Sequence, residues 1–561
     1  MQLANPRRPF AGDRLTTIFR FAAILLGMST IARAATDPPS PLPSPSPVTA
    51  PASAREKELE NRLQRLESRY EAMEKTHAEQ YQALTARYEN LIQNVNVNVN
   101  APSSAWSPAT PAVPAPDAGP EGLPRRDTSR EGGAGARDNP SDPSKTRRPG
   151  QRRLPSRVEF GPGFQISSED DEFQLQFHNL TQIDLRNYTQ GGQDPVHNGF
   201  SIPRQRWYFT GRMTKGVEFY TTINRGFGTL DLFDAFLNFK YDDRLMFKAG
   251  RMKTPFSYEF YAMSAPDFIV PERSLFNSNF SPNRELGLMT WGQLFEKRLD
   301  YAVGMFNGAR LSFQDTNDEK DVISYLNARP FGALKEDAPW SFLKFLNVGG
   351  SVDYGLQNSA PLPNILRTSL AASNTGDALN IAPAFLSFNK NVIERGARSL
   401  WGMHLAYFYK SLSLLGEMQG GYQSYATTSL QQNLTQVPVH AYAISGGYFI
   451  TGETVDRRTQ VEPLRPFSLK KGKFGPGAIE LQGRYSALQI GRNVFSAGLA
   501  DPNQWTNHLY TVDLGVNWYL NPYTKIVFEW EHAVFGAPVL FAPGRRELTS
   551  DLLWVRFQVY F

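Results

Sequence analysis

Regular alternation of apolar and polar residues is the strongest pattern in this chain, and it runs from about Arg157 to the end. In residues 173–186 the apolar side chains share one face of an extended chain, and glutamine, aspartate and arginine side chains share the other. The pattern recurs in residues 511–520 and 525–532, and less regularly in 217–223, 244–249, 299–306 and 479–485. A period of two residues indicates β-strands with one apolar and one polar face, so an all-β fold is predicted.

Two architectures fit such strands, and they bury opposite faces. A soluble β-sandwich hides the apolar face, whereas a transmembrane barrel turns it to lipid and keeps the polar face toward a water-filled interior. Charged residues in mid-strand and large aromatic residues near strand ends favour the barrel. At ~10 residues for each strand plus connections, residues 157–561 predict a transmembrane antiparallel β-barrel of about 16 strands. The aromatic residues expected at the membrane interfaces are Trp207, Tyr208, Trp401, Trp505, Tyr519 and Trp554.

The first 34 residues have the composition of an export signal. Basic residues precede the apolar run 21–28, and Ala32-Arg33-Ala34 supplies the small-residue cleavage pattern. The apolar run is far shorter than the ~20 residues that a membrane-spanning helix needs, which argues against an N-terminal anchor. Residues 1–34 are therefore predicted to be a signal peptide that is cleaved on export, and the barrel is predicted to lie in an outer membrane.

Three segments of different composition separate the signal from the barrel. Residues 35–54 are rich in Pro and Ser and have no means of forming a core. Residues 55–93 carry a heptad pattern that begins at Leu59 and contains one stutter, which predicts a short α-helical coiled coil and hence a homo-oligomer. A solvated single helix is the alternative for this segment. Residues 94–156 are rich in Pro, Gly and charge and are predicted to be a disordered linker.

Composition and motifs argue against several other classes of protein. The chain has no cysteine, and much of its basic excess lies in the linker, so neither a thiolate site nor a nucleic-acid-binding domain is predicted. Its seven histidines show no metal-ligand spacing, and neither a phosphate-binding glycine loop nor a Gly-x-Ser-x-Gly elbow occurs. No enzyme activity, metal or cofactor is therefore predicted. A barrel-embedded lipid hydrolase with His440 or His508 as its base is the remaining enzymatic alternative.

One long connection stands out between the predicted strands. Residues 250–284 follow one amphipathic strand and precede another, but they contain several prolines, many aromatic residues and no alternation. Prolines of this kind exclude a central strand, and a loop of this length in a compact domain is more often functional than idle. We therefore expect the loop to fold into the mouth of the barrel and to narrow it.

A series of short motifs runs through residues 160–561: Phe200-Ser-Ile-Pro-Arg-Gln-Arg206 running to Gly211, Asp234-Ala-Phe236, Gly250-Arg251, Pro255-Phe-Ser-Tyr-Glu259, Glu272-Arg273, Arg284-Glu-Leu-Gly287, Tyr301-Ala-Val-Gly304, Phe306-Asn-Gly308, Gly452-Glu453, Gly477-Ala-Ile-Glu480 and Arg484-Tyr-Ser486. In this order the motifs resemble the phosphate-selective porin O and P family of Gram-negative outer membranes. The resemblance implies a trimer of 16-stranded barrels that carries anions, with an inward-folded third loop and basic residues along the path. A terminal aromatic residue like Phe561 is what the barrel-assembly machinery recognises in such proteins, and a coiled coil that suits trimerisation is known in relatives.

Two arginines are the first candidates for contact with an anion. A guanidinium donates two parallel hydrogen bonds to phosphate, and anion passage requires such groups along the path. Arg204 and Arg206 share a strand face opposite Trp207 and Phe209, so both face water if the aromatic residues face lipid. The resemblance places one arginine of the family's Arg-Arg pair at Arg204, although Pro203 stands before it. A wall charge that is balanced by a neighbouring carboxylate is the alternative role for both arginines.

Three further residues complete the candidate site. Through the family's Asp-Ala-aromatic motif, Asp234 resembles a carboxylate near the constriction, where it would orient an arginine or accept a proton from hydrogen phosphate. Arg273 is the strongest candidate for a selectivity residue in the long loop. Lys253 either faces the pore or is a solvated loop lysine.

The charges expected inside the barrel nearly balance, because eight basic and seven acidic residues lie on the predicted polar strand faces. Charges more than ~8–10 Å apart are screened at physiological salt, so selectivity would depend on local grouping. The predicted function is that of an outer-membrane porin for passive diffusion of small anions, including phosphate or polyphosphate, with selectivity set by residues 250–284. The alternative is a structural protein that contacts the cell wall and tethers the envelope through its coiled coil, with a weakly selective general pore.

Overall fold

The structure, a computed structural model, describes residues 156–161, 163–227, 229–311, 313–369, 381–428 and 434–561. The predicted signal peptide 1–34, the Pro/Ser-rich segment 35–54, the coiled coil 55–93 and all but the last residue of the linker 94–156 lie outside the described residues. No helix within the described ranges is long and apolar enough to cross a membrane.

Strands make up most of the described chain. Two short α-helices, α1 (Leu275–Asn279) and α2 (Asn493–Ser496), interrupt the strand series. The strands are β1 (Ser156–Gly161), β2 (Gly163–Ser168), β3 (Gln174–Tyr188), β4 (Gly199–Thr214), β5 (Val217–Gly226), β6 (Thr229–Asp242), β7 (Leu245–Lys253), β8 (Arg284–Leu294), β9 (Leu299–Phe306), β10 (Asp321–Ala328), β11 (Leu346–Ser359), β12 (Ile365–Arg367), β13 (Ala384–Ser387), β14 (Val392–Tyr409), β15 (Leu412–Thr427), β16 (Thr435–Phe449), β17 (Ala478–Ile490), β18 (His508–Asn521), β19 (Thr524–Ala542) and β20 (Arg545–Tyr560).

Sixteen of these strands form a closed antiparallel barrel. Strands β3 to β11 pair in sequence order, and β11 then pairs with β14. Strands β14 to β20 again pair in sequence order. Closure comes from β20, which pairs with β3 in a register from Leu552↔Tyr188 to Tyr560↔Leu180. Strands β12 and β13 form a separate two-stranded sheet in the connection between β11 and β14. The predicted all-β barrel of about 16 strands is confirmed.

The alternation in the sequence follows the two faces of the barrel wall. On β3, Ile183 points outward with 39% of its surface exposed, whereas the neighbouring Asp184 is fully buried in the interior. Outward apolar side chains such as Leu288 and Met305 recur around the wall, and charged side chains fill the lumen. This is the polarity of a barrel that has lipid outside and a polar interior.

Two of the aromatic residues predicted for the membrane interfaces lie inside the barrel instead. Trp554 and Tyr519 are only 2% and 6% exposed. Trp554 shares the inward parity of Arg556, and the guanidinium carbons of Arg186 and Arg556 lie 3.8 and 4.8 Å from its ring centroid. The girdle prediction was wrong for these two residues, because aromatic rings also pack against lumen arginines.

The first two strands stand outside the ring of sixteen, although the barrel was predicted to begin at residue 157. Strands β1 and β2 form a hairpin, and β2 pairs with the first residues of β3 below the end of β20. Rings of the hairpin and of β3 surround the terminal Phe561, at centroid distances of 6.2–6.3 Å from Phe160, Phe164 and Phe177. Recognition of Phe561 by the assembly machinery stays a prediction.

The connections at the two ends of the barrel differ in length. Short turns join β4 to β5, β6 to β7, β14 to β15 and β18 to β19, which marks the periplasmic end in barrels of this type. The connection from β16 to β17 at that same end is long, and we call its residues 450–477 the periplasmic segment. The longest connections at the opposite end lie between β7 and β8 and between β11 and β14.

Candidate functional site

The loop between β7 and β8 folds into the lumen, as predicted. Strand β7 continues to Lys253 and β8 begins at Arg284, so the loop comprises residues 254–283, which we call the inward loop. It contains a wide helical turn, Ser257–Ala262, a short 3₁₀ turn, Ala265–Asp267, and helix α1. Nearly all of its side chains are buried, because the barrel wall surrounds it.

The inward loop spans the lumen to the opposite wall. Strands β17 and β18 lie opposite β7 and β8 in the ring of sixteen, and both of them contact the loop. The backbone N–H of Leu275 donates to Ser486 Oγ of β17 at 3.1 Å, and Asn517 Nδ2 of β18 donates to the Ile269 carbonyl at 2.7 Å. The loop therefore divides the lumen into spaces on its two sides.

A carboxylate on β15 holds the helical turn of the loop. Glu417 Oε1 accepts hydrogen bonds from the backbone N–H groups of Tyr258 and Glu259 at 2.7 and 3.0 Å. Its other oxygen accepts from Asn277 Nδ2 of α1 at 2.7 Å. Because these three donors are buried and depend on the same carboxyl group, Glu417 fixes both the turn and the helix.

Glu259, one of the residues of the family motif, braces the loop from within. Its Oε2 accepts from the backbone N–H and the hydroxyl of Ser274 at 2.9 and 2.7 Å, and from Asn277 Nδ2 at 2.8 Å. These bonds tie the helical turn to α1 across the loop. The role of Glu259 in this structure is to shape the loop.

The far end of the loop is held by arginines of the barrel wall. Glu272 is bound by both Arg204, with Nη1 to Oε1 at 2.6 Å, and Arg556, with Nη2 to Oε1 at 2.8 Å. Arg556 also binds Asp184, at 2.6 Å from Nε to Oδ1. Burial alone would raise the pKa of Glu272, but the two guanidinium groups hold that pKa below its usual range. Arg204 is therefore a wall charge that is balanced by a neighbouring carboxylate, which is the alternative role that the sequence analysis considered for it.

A cavity of about 300 Å³ lies between the inward loop and the wall formed by β4 to β8, and we call it the cationic chamber. The four other predicted site residues meet here, whereas Arg204 does not line it. Two lysines and three arginines face one carboxylate in this space. The chamber is lined by Arg206, Tyr208, Tyr220, Asp234, Phe236, Lys248, Met252, Lys253, Tyr261, Ser264, Ala265, Arg273 and Arg284.

Four of the five chamber cations, all except Arg284, make no ion pair with any carboxylate of the described residues. Arg206 Nε donates to Asn224 Oδ1 at 3.0 Å, and Lys253 Nζ donates to the Met263 carbonyl at 2.8 Å. The guanidinium carbon of Arg273 lies 4.7 and 4.6 Å from the ring centroids of Phe260 and Phe268. Aromatic faces and neutral oxygens position these cations without cancelling their charge.

The single carboxylate of the chamber is paired. Asp234 Oδ1 accepts from Arg284 Nε at 2.9 Å, so it orients an arginine, one of the two roles that the sequence suggested. Lys248 stacks on Trp291, with Nζ 4.1 Å from the ring centroid. Sequence reasoning did not include Arg284 and Lys248 among the candidates. The alternation along β7 places Lys248 on the inward face, so the sequence could have identified it. Arg284 lies where the loop ends and β8 begins, and alternation does not predict the direction of a side chain there.

Acidic side chains are grouped on a different part of the wall. On β10, β11 and β14, the carboxylates of Asp321, Asp353 and Glu394 surround Arg398, with Asp353 Oδ2 3.2 Å and Glu394 Oε1 3.7 Å from its nitrogens. Alternation in the sequence does not predict β10, β11 and β14, so these acidic residues lie outside the predicted charge balance. The near balance of lumen charge therefore conceals a separation into a cationic wall and an acidic wall.

The periplasmic segment narrows the lumen from the other end. Arg458 of this segment binds Glu480 of β17, with Nη1 to Oε1 at 2.6 Å, and its Nε donates to the Asp267 carbonyl of the inward loop at 3.1 Å. The two inward connections therefore touch each other inside the barrel. No sequence pattern predicts this contact, since the segment shows no pattern beyond its glycines and prolines.

Comparison with known proteins assigns the chain. The family model for phosphate-selective porins O and P matches residues 173–532, which is most of the barrel. The chain belongs to this family. As a porin of this family it is an outer-membrane channel protein rather than an enzyme. No curated protein sequence matches the chain.

Several solved structures with a similar fold are distant in sequence. An anion-selective porin from Comamonas acidovorans is 9% identical, with a TM-score of 0.42 over 70% of this chain and 100% of that one. The trimer form of OmpT from Vibrio cholerae is 10% identical, with a TM-score of 0.41 over 70% and 100% of the two chains. The outer membrane channel DcaP of Acinetobacter baumannii is 9% identical, with a TM-score of 0.40 over 70% and 99%. The assignment of this porin rests on the family match.

Proposed function

We propose that this porin conducts small anions and that the cationic chamber selects them. The observation that carries the proposal is the composition of the chamber, where five cationic side chains face a single carboxylate. The acidic cluster around Arg398 lies on other strands, β10, β11 and β14, and none of its residues lines the chamber. An anion that enters the lumen is attracted to the chamber side, where low-dielectric walls strengthen the field.

Phosphate or a short polyphosphate is the solute class that we propose the chamber favours. Arg206 and Arg273 present guanidinium groups without carboxylate partners among the described residues, and a guanidinium matches phosphate through two parallel hydrogen bonds. Lys248 and Lys253 add point charges on the same wall. Several sites of moderate strength allow an ion to enter, move between them and leave, as conduction requires.

Block of chloride current tests this solute class. In planar bilayers with the full-length protein, millimolar phosphate is expected to reduce the chloride current through open channels. Arg206→Gln is expected to weaken that block, whereas Lys240→Gln is a matched control because Lys240 lies outside the chamber in a pair with Asp243 at 3.0 Å. A chloride current that phosphate leaves unchanged would contradict phosphate as the favoured solute.

We further propose a homotrimer whose assembly depends on the predicted coiled coil, residues 55–93. The proposal is supported by the heptad pattern and by family membership. Deletion of residues 55–93 tests it: loss of trimers on unheated gels supports a role in assembly. Persistent trimers and an unchanged single-channel conductance, accompanied by loss of envelope integrity, would instead support a tether to the cell wall.

A further inference from the structure

A second cavity, of about 480 Å³, adjoins the cationic chamber on the periplasmic side of the inward loop. We call it the aromatic chamber, because six aromatic residues contribute to its lining. These residues are Tyr258, Tyr261, Trp291, Tyr301, Tyr325 and Phe345. A cavity of this size is in the range that holds small organic molecules in proteins.

Two side chains connect the chambers. Tyr261, in the helical turn of the inward loop, lines both of them. Lys248 lines the cationic chamber, and its Nζ lies 4.1 Å from the ring centroid of Trp291, which lines the aromatic chamber. A molecule held near Lys248 by its charge would therefore have aromatic faces directly beside it.

The polar groups of the aromatic chamber largely satisfy one another. Asp300 accepts hydrogen bonds from Gln293 at 2.8 Å, from Asn327 at 3.1 Å and from Arg329 at 2.7 Å. Asn327 also donates to Asn347 Oδ1 at 3.0 Å. Because these groups already have partners, they offer little to a solute rich in hydroxyl groups. The aromatic faces remain as the main surface for contact.

One buried polar atom of the chamber has no partner. Tyr325 is 2% exposed, and its hydroxyl makes no hydrogen bond with any described residue. Buried hydroxyl groups are normally paired, so an unpaired one in the lining of a cavity points to a partner that enters the cavity. The free charges of the chamber, on the exposed Asp456 and Arg457, are opposite in sign and give it no net preference.

We propose that the aromatic chamber binds the ring of an aromatic anion whose charged group is held in the cationic chamber. The preferred solutes of this porin would then include aryl phosphates or aromatic carboxylates, beyond inorganic phosphate. This inference rests on the proposed anion conduction. Stacking on Tyr261 and Trp291 supplies the additional attraction, and the Tyr325 hydroxyl is available to a polar substituent of the ring.

The test compares two probes of similar charge. With the full-length protein in planar bilayers, inorganic phosphate and phenyl phosphate are added at about pH 8.5, where both are mainly dianions. Phenyl phosphate is expected to block half of the chloride current at a concentration about three- to tenfold lower than phosphate, as one aromatic contact predicts. Equal or weaker block by phenyl phosphate, with block by phosphate intact, would overturn the inference and leave the proposed function standing.

Variants of the chamber lining sharpen the test. Tyr325→Leu is expected to reduce the advantage of phenyl phosphate to less than twofold, with phosphate block unchanged. Trp291→Leu is expected to reduce that advantage to the same extent and also to weaken phosphate block, because Trp291 holds Lys248 of the cationic chamber. Tyr407→Leu is the matched control, since Tyr407 lies on the outward face of β14. An advantage that persists in both chamber variants would contradict the inference. Loss of anion preference and of block by either probe in the unmodified protein would refute the proposed function itself.

Discussion

Arg204 of β4 and Glu272 of the inward loop form a buried two-point ion pair, with Nη1 2.6 Å from Oε1 and both side chains about 1% exposed. A buried pair of this kind depends on additional hydrogen bonds, and here Arg556 donates to Glu272 and Gln182 accepts from Arg204, whereas Arg204 Nε has no partner among the described residues. The pair fixes the loop to the wall, and the next residue, Arg273, lines the cationic chamber.

Arg204 and Arg273 are therefore expected to respond differently to substitution. Arg204→Gln leaves the buried Glu272 with one guanidinium partner, so it should lower the resistance of the folded barrel to heat or denaturant, by about 3–5 kcal/mol if the site does not relax. Arg273→Gln removes a chamber cation that has no ion pair, so it should lower the anion-to-cation permeability ratio roughly twofold with little loss of stability. Gel mobility after graded heating and reversal potentials measure the two effects. A larger selectivity change in Arg204→Gln than in Arg273→Gln would contradict these roles.

Glu417 is predicted to keep the inward loop still. Glu417→Ala removes the acceptor for two buried backbone N–H groups of the loop, which costs about 1–3 kcal/mol for each unsatisfied group. The loop should then fluctuate, and open-channel current noise should increase. Glu417→Gln keeps a carbonyl oxygen as acceptor and is the matched control. Equal noise in the two variants would show that the loop does not depend on this contact.

Asp234 is predicted to weaken the attraction of the chamber for anions. Asp234→Asn leaves five cationic side chains without an opposing carboxylate, so the anion-to-cation permeability ratio should rise roughly twofold. Asp242→Asn is the control, because Asp242 lies in an exposed pair with Arg244 at a turn. A fall in the ratio in Asp234→Asn would indicate that Asp234 is needed to orient Arg284 for anion binding.

Protonation of Asp267 in the inward loop is expected to make the anion selectivity of the channel depend on pH. Burial raises the pKa of its carboxyl to about 6, although Lys525, Arg458 and Lys253 lower it in part. The group is neutral below that pKa and negative above it, so anion preference measured with chloride should decrease as the pH rises from about 5 to about 7. Asp267→Asn should remove most of this change. An identical pH profile in the variant would exclude Asp267 as its source.

The sequence predicted the parts of this porin that depend on local pattern. Alternation placed Arg206 and Asp234 on inward faces, and the prolines of residues 250–284 marked the inward loop. Alternation could not identify Glu272 as the partner of Arg204, because the path of the loop through the lumen brings these distant residues together. The contact of Arg458 with the loop depends in the same way on two connections that enter the barrel from opposite ends.

Aromatic residues show a second limit of local pattern. Tryptophan is common at membrane interfaces, but the alternation along β20 directs Trp554 into the lumen. There it lies beside Arg186 and Arg556. The aromatic side chains of the aromatic chamber likewise come from three strands, the inward loop and the turn that carries Phe345. Side chains that meet through the closure of a sheet carry no common sequence spacing.

The reversal potential of the full-length protein in a planar bilayer tests the central claim most directly. Under a tenfold gradient of potassium chloride, a channel whose narrow region is lined by the cationic chamber should give a reversal potential with the sign of chloride selectivity. The magnitude should decrease in a combined Arg206→Gln and Arg273→Gln variant and stay unchanged in Lys240→Gln. A reversal potential of zero, or one with the sign of potassium selectivity, would contradict the account.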